Sequence, residues 1–372
     1  MNLTHNIKDF GAIGDGLTDD SVAVRNALTA ALTQQATLYV PSGRFRCHIP
    51  PRHVYSSLAI VGDSSGTSEL VFPGGAGLDF TCYQVGMHQP NGITMRDISL
   101  RAAGDCTKAL RISYGQPGIS NEHGTPSVVL RDVRVVSDDT NAWADGIEIE
   151  GAWNPRLENV FVSGSPMGGN WNAMRGSGVN LKGMCVNAHL SNVTTNFWAE
   201  GLKVHAGSGP NTEGLFVSNC HMVGVKRGVW IKGNPDAMVD GKPCPRIHTL
   251  NWIGGMIENR VGGVTGGSAA FHLEHVWSAA ITGCQMIPET KACPETTYGV
   301  IAQNCRLIRL HASDVNAYHH GFTTTGECRG LTVVGNSFAN TDHPINFSDE
   351  TRYSQARHNV KDDEILMEVV KY

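Results

Sequence analysis

The chain is short of the residues and runs that define most protein classes. Only 17% of its 372 residues are charged, 7% are aromatic, and the net charge is -5. No basic stripe follows from that balance, so nucleic acid is not an expected partner. No apolar run approaches the roughly 18 residues that span a bilayer, and no membrane insertion is expected. The start, Met1-Asn2-Leu3-Thr4-His5, lacks a basic segment followed by an apolar one, so no cleaved signal peptide is expected. Ten cysteines include no CxxC, and Cys220 and Cys284 fall in apolar slots. Buried reduced thiols are the expectation, not a disulfide scaffold. The sixteen histidines contain no HxxxH pair, which removes a common zinc spacing.

What the chain has is glycine, 43 residues of it, and a repeated phrase. In Asp145-Gly146-Ile147-Glu148-Ile149-Glu150 a small residue precedes apolar residues at alternate positions, the pattern of a strand with one buried face. The phrase occurs ten times, with its small residue at Gly77, Ala109, Gly146, Gly178, Gly201, Gly228, Ala270, Gly299 and Gly321, and Pro344 in that slot last. Successive copies are 22 to 42 residues apart, the signature of a solenoid. The shortest intervals, 22, 23 and 23, fit a bare coil, and the longer ones carry inserted loops.

A second phrase alternates with the first: Leu130-Arg131-Asp132-Val133, Leu157-Glu158-Asn159-Val160, Leu190-Ser191-Asn192-Val193 and Val217-Ser218-Asn219-Cys220, with Gly283 and Gly335 in weaker copies. The Asp/Asn/Gly slot predicts a tight bend at positive φ. Upstream, Ile7 to Ala12 reads as a strand and Gly14-Asp15-Gly16 as a turn. Thr18-Asp19-Asp20 supply N-cap candidates for a helix through about Gln34, with Val24, Ala27, Leu28 and Ala31 on its apolar face. That helix is the expected lid over the open end of the coils.

The opening from Ile7-Lys8-Asp9-Phe10-Gly11-Ala12 to Thr18-Asp19-Asp20, followed by Leu38-Tyr39-Val40-Pro41-Ser42-Gly43-Arg44-Phe45, closely resembles that of the pectate-lyase-3-like right-handed parallel β-helix superfamily. The group includes polysaccharide lyases, polygalacturonase-like hydrolases and bacteriophage tailspike depolymerases. The resemblance implies an all-β fold, a right-handed single-stranded parallel β-helix of about ten coils with an N-terminal capping helix. It also implies carbohydrate-directed activity, a homotrimer, other virion tail proteins as further partners, and a place at a virion tail or outside the cell. The division expected is a cap over residues 1–48, coils over 49–349, and a C-terminal cap or partner-contact segment over 350–372. The last carries the apolar patch Ile365, Leu366, Met367, Val369 and Val370.

Alternation also sorts the side chains that face outward. The middle copies read Asp145, Glu148, Glu150; Ser177, Asn180, Lys182; Glu200, Lys203, His205; Arg227, Trp230, Lys232; and His272, Glu274. Five strands at about 4.8 Å make a patch roughly 20 Å long, enough for several sugar units. Inserts at 114–127 and 233–246 leave this sheet, and those at 164–177, 259–269 and 287–298 lead into it, so they raise two walls. Trp171, Asp236 and Asp240 lie in the walls.

The candidate catalytic residues are Asp145, Glu148, Glu150, Glu200 and His205. Asn180, Lys182, Lys203, Arg227, Trp230, Lys232, His272 and Glu274 are the candidates for holding substrate. Glu148 and Glu150 sit about 6.6 Å apart along the strand. Carboxyl groups roughly 6.5–9.5 Å apart suit inverting hydrolysis, and roughly 5–5.5 Å suits retention. The plainer account of the same residues is a Glu–Lys ladder, since Glu150 faces Lys182. Trp230 offers a flat face to a sugar ring, or packs beneath loop 233–246. His205 or Lys203, its pKa lowered by neighbouring cations, is instead the candidate base for β-elimination.

No cofactor is expected for hydrolysis. A lyase of this class uses calcium on Asp and Glu clusters, and the sequence shows no compact one. His319 and His320 are expected on opposite strand faces, with Asp314 nearby. The activity expected is cleavage of a capsular, lipopolysaccharide or other acidic glycan, most like a tailspike depolymerase with paired carboxylates. The alternatives are a polysaccharide lyase and a glycan-binding adhesin without turnover.

Overall fold

The computed structural model describes the chain apart from residues 1–2, 84–91, 115–126, 139–141, 165–173, 207–211, 240–241, 244–246, 261–266, 290–294 and 363, and the side chains of 239, 242 and 243. It is a right-handed parallel β-helix. One sheet takes eleven strands in chain order. These are β1 (Arg52–Val54), β2 (Leu78–Cys82), β3 (Cys106–Tyr114), β4 (Trp143–Glu150), β5 (Ser177–Lys182) and β6 (Glu200–His205). They continue as β7 (Arg227–Lys232), β8 (Ser268–Glu274), β9 (Thr297–Gln303), β10 (His320–Thr325) and β11 (His343–Asn346). All ten copies of the first phrase lie in this sheet. β1 is an eleventh rung, whose Arg-His-Val lacks the small residue that marks the others.

The second phrase makes the other two faces of the coil. Val128–Ser137 turns at Asp132 (φ 53°), so its first half pairs with Arg156–Glu158 and its second with Phe161–Ser163. Asn159, Asn192, Asn219, Gly283 and Gly335 also stand at positive φ. Two bend side chains continue the stacking: Asn192 Nδ2 donates to Asn159 Oδ1 (3.1 Å), and Asn219 Nδ2 to Asn192 Oδ1 (2.8 Å).

Inward residues of the sheet form the core, among them Ile147, Ile149, Val179, Leu181, Leu202, Val204, Phe271 and Leu273, all buried. The small residue of the phrase has a steric cause. A Cβ on Gly201 would lie 2.7 Å from the Gly228 carbonyl oxygen and 2.8 Å from Met222 Sδ. Eight cysteines are free and buried, as expected for core thiols; Cys244 and Cys293 lie outside the described residues.

The N-terminal helix, α1 (Ser21–Gln34), buries Val24, Ala27, Leu28 and Ala31. Three local expectations are corrected. Gly14-Asp15-Gly16 is not a turn, because Asp15 opens a strand, Asp15–Asp19, that pairs with Gly43–Arg46. Ile7–Phe10 is a 3-10 turn, because the Asn6 side chain accepts from Lys8 N–H at one end and Gly11 at φ 95° closes the other. Asp20 occupies the N-cap position of α1 without capping it. Its buried carboxylate instead accepts from Ile13 and Gly14 N–H (2.7 and 3.1 Å), and Asp19 accepts from Ser21 N–H (3.0 Å). At the far end Val369–Lys371 runs antiparallel to Ser354–Arg357. Leu366 and Val369 pack on the core, whereas Ile365 and Met367 are exposed. No described helix is long and apolar enough to cross a membrane.

Candidate functional site

Register places the thirteen sequence candidates on one outer face as three columns. Arg111, Glu148, Asn180, Lys203, Trp230 and His272 are successive partners in the first. Ser113, Glu150, Lys182, His205, Lys232 and Glu274 form the second. The third holds Ser177, Glu200, Arg227, Ala269, Tyr298, His320 and His343. Asp145 opens that third column beside Lys108, receiving Ser177 N–H at 3.0 Å.

The acids are densely paired. Glu148 Oε2 lies 2.7 Å from Lys108 Nζ and accepts from Asn180 Nδ2 at 3.1 Å, and its Oε1 is 3.4 Å from Arg111 Nε. Glu150 meets Lys182 (3.0 Å), Arg111 (3.3 Å) and the Ser113 hydroxyl (2.9 Å). Glu200 accepts from Arg227 (2.7 Å) and Ser177 Oγ (3.3 Å). The ladder that sequence spacing offers as the plainer account is therefore present.

Electrostatics separates these groups. Burial pushes the Asp145 carboxyl above its usual range, against the pull of Ser177 N–H and the Lys108 charge; Glu148 adds to the rise. Burial alone would also raise Glu150, but hydrogen bonds from Lys182 and Ser113 and the charges of Lys182 and Arg111 carry it below the usual value. His205 is lowered by burial and then by Lys203 and Lys182. His272 is lowered by burial, with Glu274 opposing and Arg227 and Lys232 adding.

Trp230 does not offer a bare face. The Arg227 guanidinium lies 4.0 Å and the Lys203 ammonium 4.7 Å from its ring centre, and Nε1 donates to Glu274 at 2.9 Å. Glu274 also faces His272 (3.3 Å) and Lys232 (3.9 Å).

Among the described residues, two cavities open along the floor. One of about 330 Å³ is bounded by Asp79, Lys108, Arg111 and Asp145. The other, about 350 Å³, lies between Arg227, His272 and Tyr298. Sequence reasoning missed Asp79, Lys108, Arg111 and Ser113. Reading the outward slots of the copies at Gly77 and Ala109, as was done for the middle copies, would have found all four.

The histidine pair behaves differently from expectation. His319 and His320 rings are 4.6 Å apart, both touch His343, and His319 Nδ1 is 2.8 Å from Asp342 Oδ2. His319 precedes β10, so strand alternation does not govern it. Asp314 belongs to another sheet, paired at Gln285. Asp236 is exposed in a turn, its N–H on Asn234 Oδ1. Trp171 and Asp240 lie outside the described residues.

Among the described residues no three or more His, Cys, Asp or Glu side chains form a metal-binding group.

Three stacked parallel faces turned by asparagine bends define a parallel β-helix of the pectate lyase-like kind. The chain belongs to the rhamnogalacturonase A/epimerase, pectate lyase-like family, whose model matches residues 4–240. Mannuronan C5-epimerase AlgE5 of Azotobacter vinelandii is 44% identical over 45 residues, which is 12% of this chain and 4% of the relative. The match thus spans a small part of that relative's length. Among solved structures, the A-module of Azotobacter vinelandii mannuronan C-5 epimerase AlgE4 aligns with a TM-score of 0.58 at 16% identity, over 96% of this chain and 95% of that one. Pre-mature bacteriophage phi29 gene product 12 aligns with a TM-score of 0.61 at 14% identity, over 96% of this chain and 52% of the other. At these identities the likeness concerns the fold.

Proposed function

We propose that the chain is an enzyme that degrades an acidic polysaccharide laid along the floor. In this reading it is a depolymerase of the phage tailspike kind, acting on a capsular, lipopolysaccharide or similar glycan by hydrolysis. Asp145 is the general acid, protonating the glycosidic oxygen. Glu148 accepts the proton of the attacking water. The observation that carries the assignment is the Asp145 carboxyl, raised by burial and further by the charge of its strand neighbour Glu148. Environments that drive neighbouring carboxyls apart are how a site divides acid from base. Glu150 then serves to position Arg111, and Glu200 to position Arg227.

A second reading rests on His205, which burial, Lys203 and Lys182 favour in its neutral form. As a base it would remove the C5 proton beside a uronate carboxylate, with Lys203 neutralising that group; the C4–C5 double bond forms as the C4–O glycosidic bond breaks, and the leaving oxygen takes a proton from water. Incubation with defined acidic polysaccharides separates the readings. New reducing ends without ultraviolet absorbance mean hydrolysis, and an absorbing unsaturated product means elimination. Retention without fragments means an adhesin, which would refute both.

The same proposal includes a homotrimer at a virion tail. Its support is the exposed Ile365 and Met367 and the coil shared with a phage gene product. Light scattering of the purified chain tests the trimer.

A further inference from the structure

The third column of the floor contains a step. Between Arg227 on β7 and Tyr298 on β9 it drops to the methyl group of Ala269. Beneath this step is the cavity of about 350 Å³, with Arg227, Ser268, Ala269, His272, Thr296 and Tyr298 in its wall. A space of this size holds one sugar ring with its substituents.

The two sides of the cavity differ in chemistry. On one side lie unused donors. Ser268 is only 4% exposed and its Oγ has no hydrogen-bond partner; Arg227 Nε is buried and likewise unpartnered. Such groups are costly to leave dry, and a bound oxygen would recover the loss. The guanidinium is also fixed in place, because Nη2 is held by Glu200 at 2.7 Å and the group lies over the Trp230 ring. On the other side is a flat aromatic wall. The Tyr298 ring stacks on His320 at 4.9 Å and 11°, and His320 on His343 at 5.2 Å and 24°.

We propose that this cavity is a specificity subsite for one anionic sugar unit, whose carboxylate or sulfate oxygens bind Arg227 Nε and Ser268 Oγ while its ring lies against Tyr298. The proposal rests on the polysaccharide reading and deepens it by assigning recognition of the glycan's charge to one cavity of the floor. A guanidinium suits a planar or tetrahedral oxyanion because its donors lie in a fixed fork. The cavity is centred near β8, four strands from β4, so it grips the chain roughly 19 Å from Asp145. Arg227 is accordingly a specificity residue and not a catalytic one.

The test is affinity electrophoresis of the full chain in three gels: a uronate polymer, the same polymer with its carboxyls reduced to alcohols, and a sulfated neutral glycan. Arg227→Lys keeps a cation for Glu200 but lacks the Nε–H, and Ala269→Leu fills the space without touching the charge. The wild-type chain is expected to prefer an anionic polymer over the reduced one by about tenfold or more. Whether that polymer is carboxylated or sulfated identifies the group. Both variants should lose the preference and raise KM for the anionic polymer, and Ala269→Leu, which excludes the ring itself, should also weaken binding to the reduced polymer. If either folded variant keeps the wild-type preference, the subsite is wrong while the polysaccharide reading stands. If the wild-type chain binds none of the three gels, both fall together.

Discussion

Arg111 holds Glu148 and Glu150 with one guanidinium, Nε 3.4 Å from the first carboxylate and Nη2 3.3 Å from the second. Two glutamates spaced for hydrolysis are thereby joined by a shared cation, and Asp79 takes a third side of it at 3.1 Å. The acid of the proposed reaction must then come from elsewhere, and Asp145 is the floor carboxyl whose surroundings favour the proton.

Asp145→Asn is expected to lower kcat by about 10²- to 10⁴-fold, the usual contribution of a general acid. In the wild-type chain the rate should decline as pH rises through the elevated pKa of Asp145, since the acid form is the working one. Reducing-end assays across pH check both. An unchanged kcat in the variant would remove Asp145 from the mechanism.

Glu150→Gln should act on stability. Its folded pKa lies below the usual glutamate value of about 4.3. The stabilisation is therefore present above that value and lost as pH falls through the lower, folded one. Melting curves of the variant should sit below wild type at neutral pH and converge with it in acid. Parallel curves at all pH values would mean that the pairs with Lys182 and Arg111 contribute nothing.

Gly201→Ala should destabilise the coil by about 1–3 kcal/mol, the cost of overpacking where a Cβ meets a carbonyl oxygen and Met222. Urea unfolding followed by circular dichroism measures it.

Trp230→Ala is expected to weaken glycan binding by releasing Arg227 from the ring beneath it, and Trp230→Phe to restore most of the affinity. Equal loss in both variants would indicate that the indole N–H bond to Glu274 matters more than the ring.

The thiols give a test of the core. Burial pushes Cys82 and Cys284 up to about 12 and Cys106, Cys185 and Cys220 up to about 11. These five should resist a thiol reagent in the native chain and react once it is unfolded. Rapid native labelling at any of them would mean a more open coil than described.

The coil was readable from sequence because its two constraints are local and periodic. Strand alternation fixes which residues face inward, and the bend slot admits only side chains that tolerate positive φ; Asp132, Asn159, Asn192 and Asn219 all stand there. The floor columns followed for the same reason. What spacing could not give were relations between columns and between coils. That Lys108 reaches Glu148, and that Arg227 lies over the Trp230 ring, depends on side-chain reach across the sheet. The cap was misread where a side chain outcompeted a pattern: Asn6 turned an expected strand into a 3-10 turn, and Asp20 left its helix to bind a loop. The histidine cluster was missed because His319 sits where regular structure begins.

The last bare coils, 22 and 23 residues from one phrase to the next, have a consequence for how such a chain can change. Each rung contacts chiefly its two neighbours, so duplicating or deleting one turn alters reach along a bound polymer by about 4.8 Å and leaves the remaining geometry in place. Length of grip and identity of chemistry are thus separately adjustable, one by counting turns and the other by changing single outward residues.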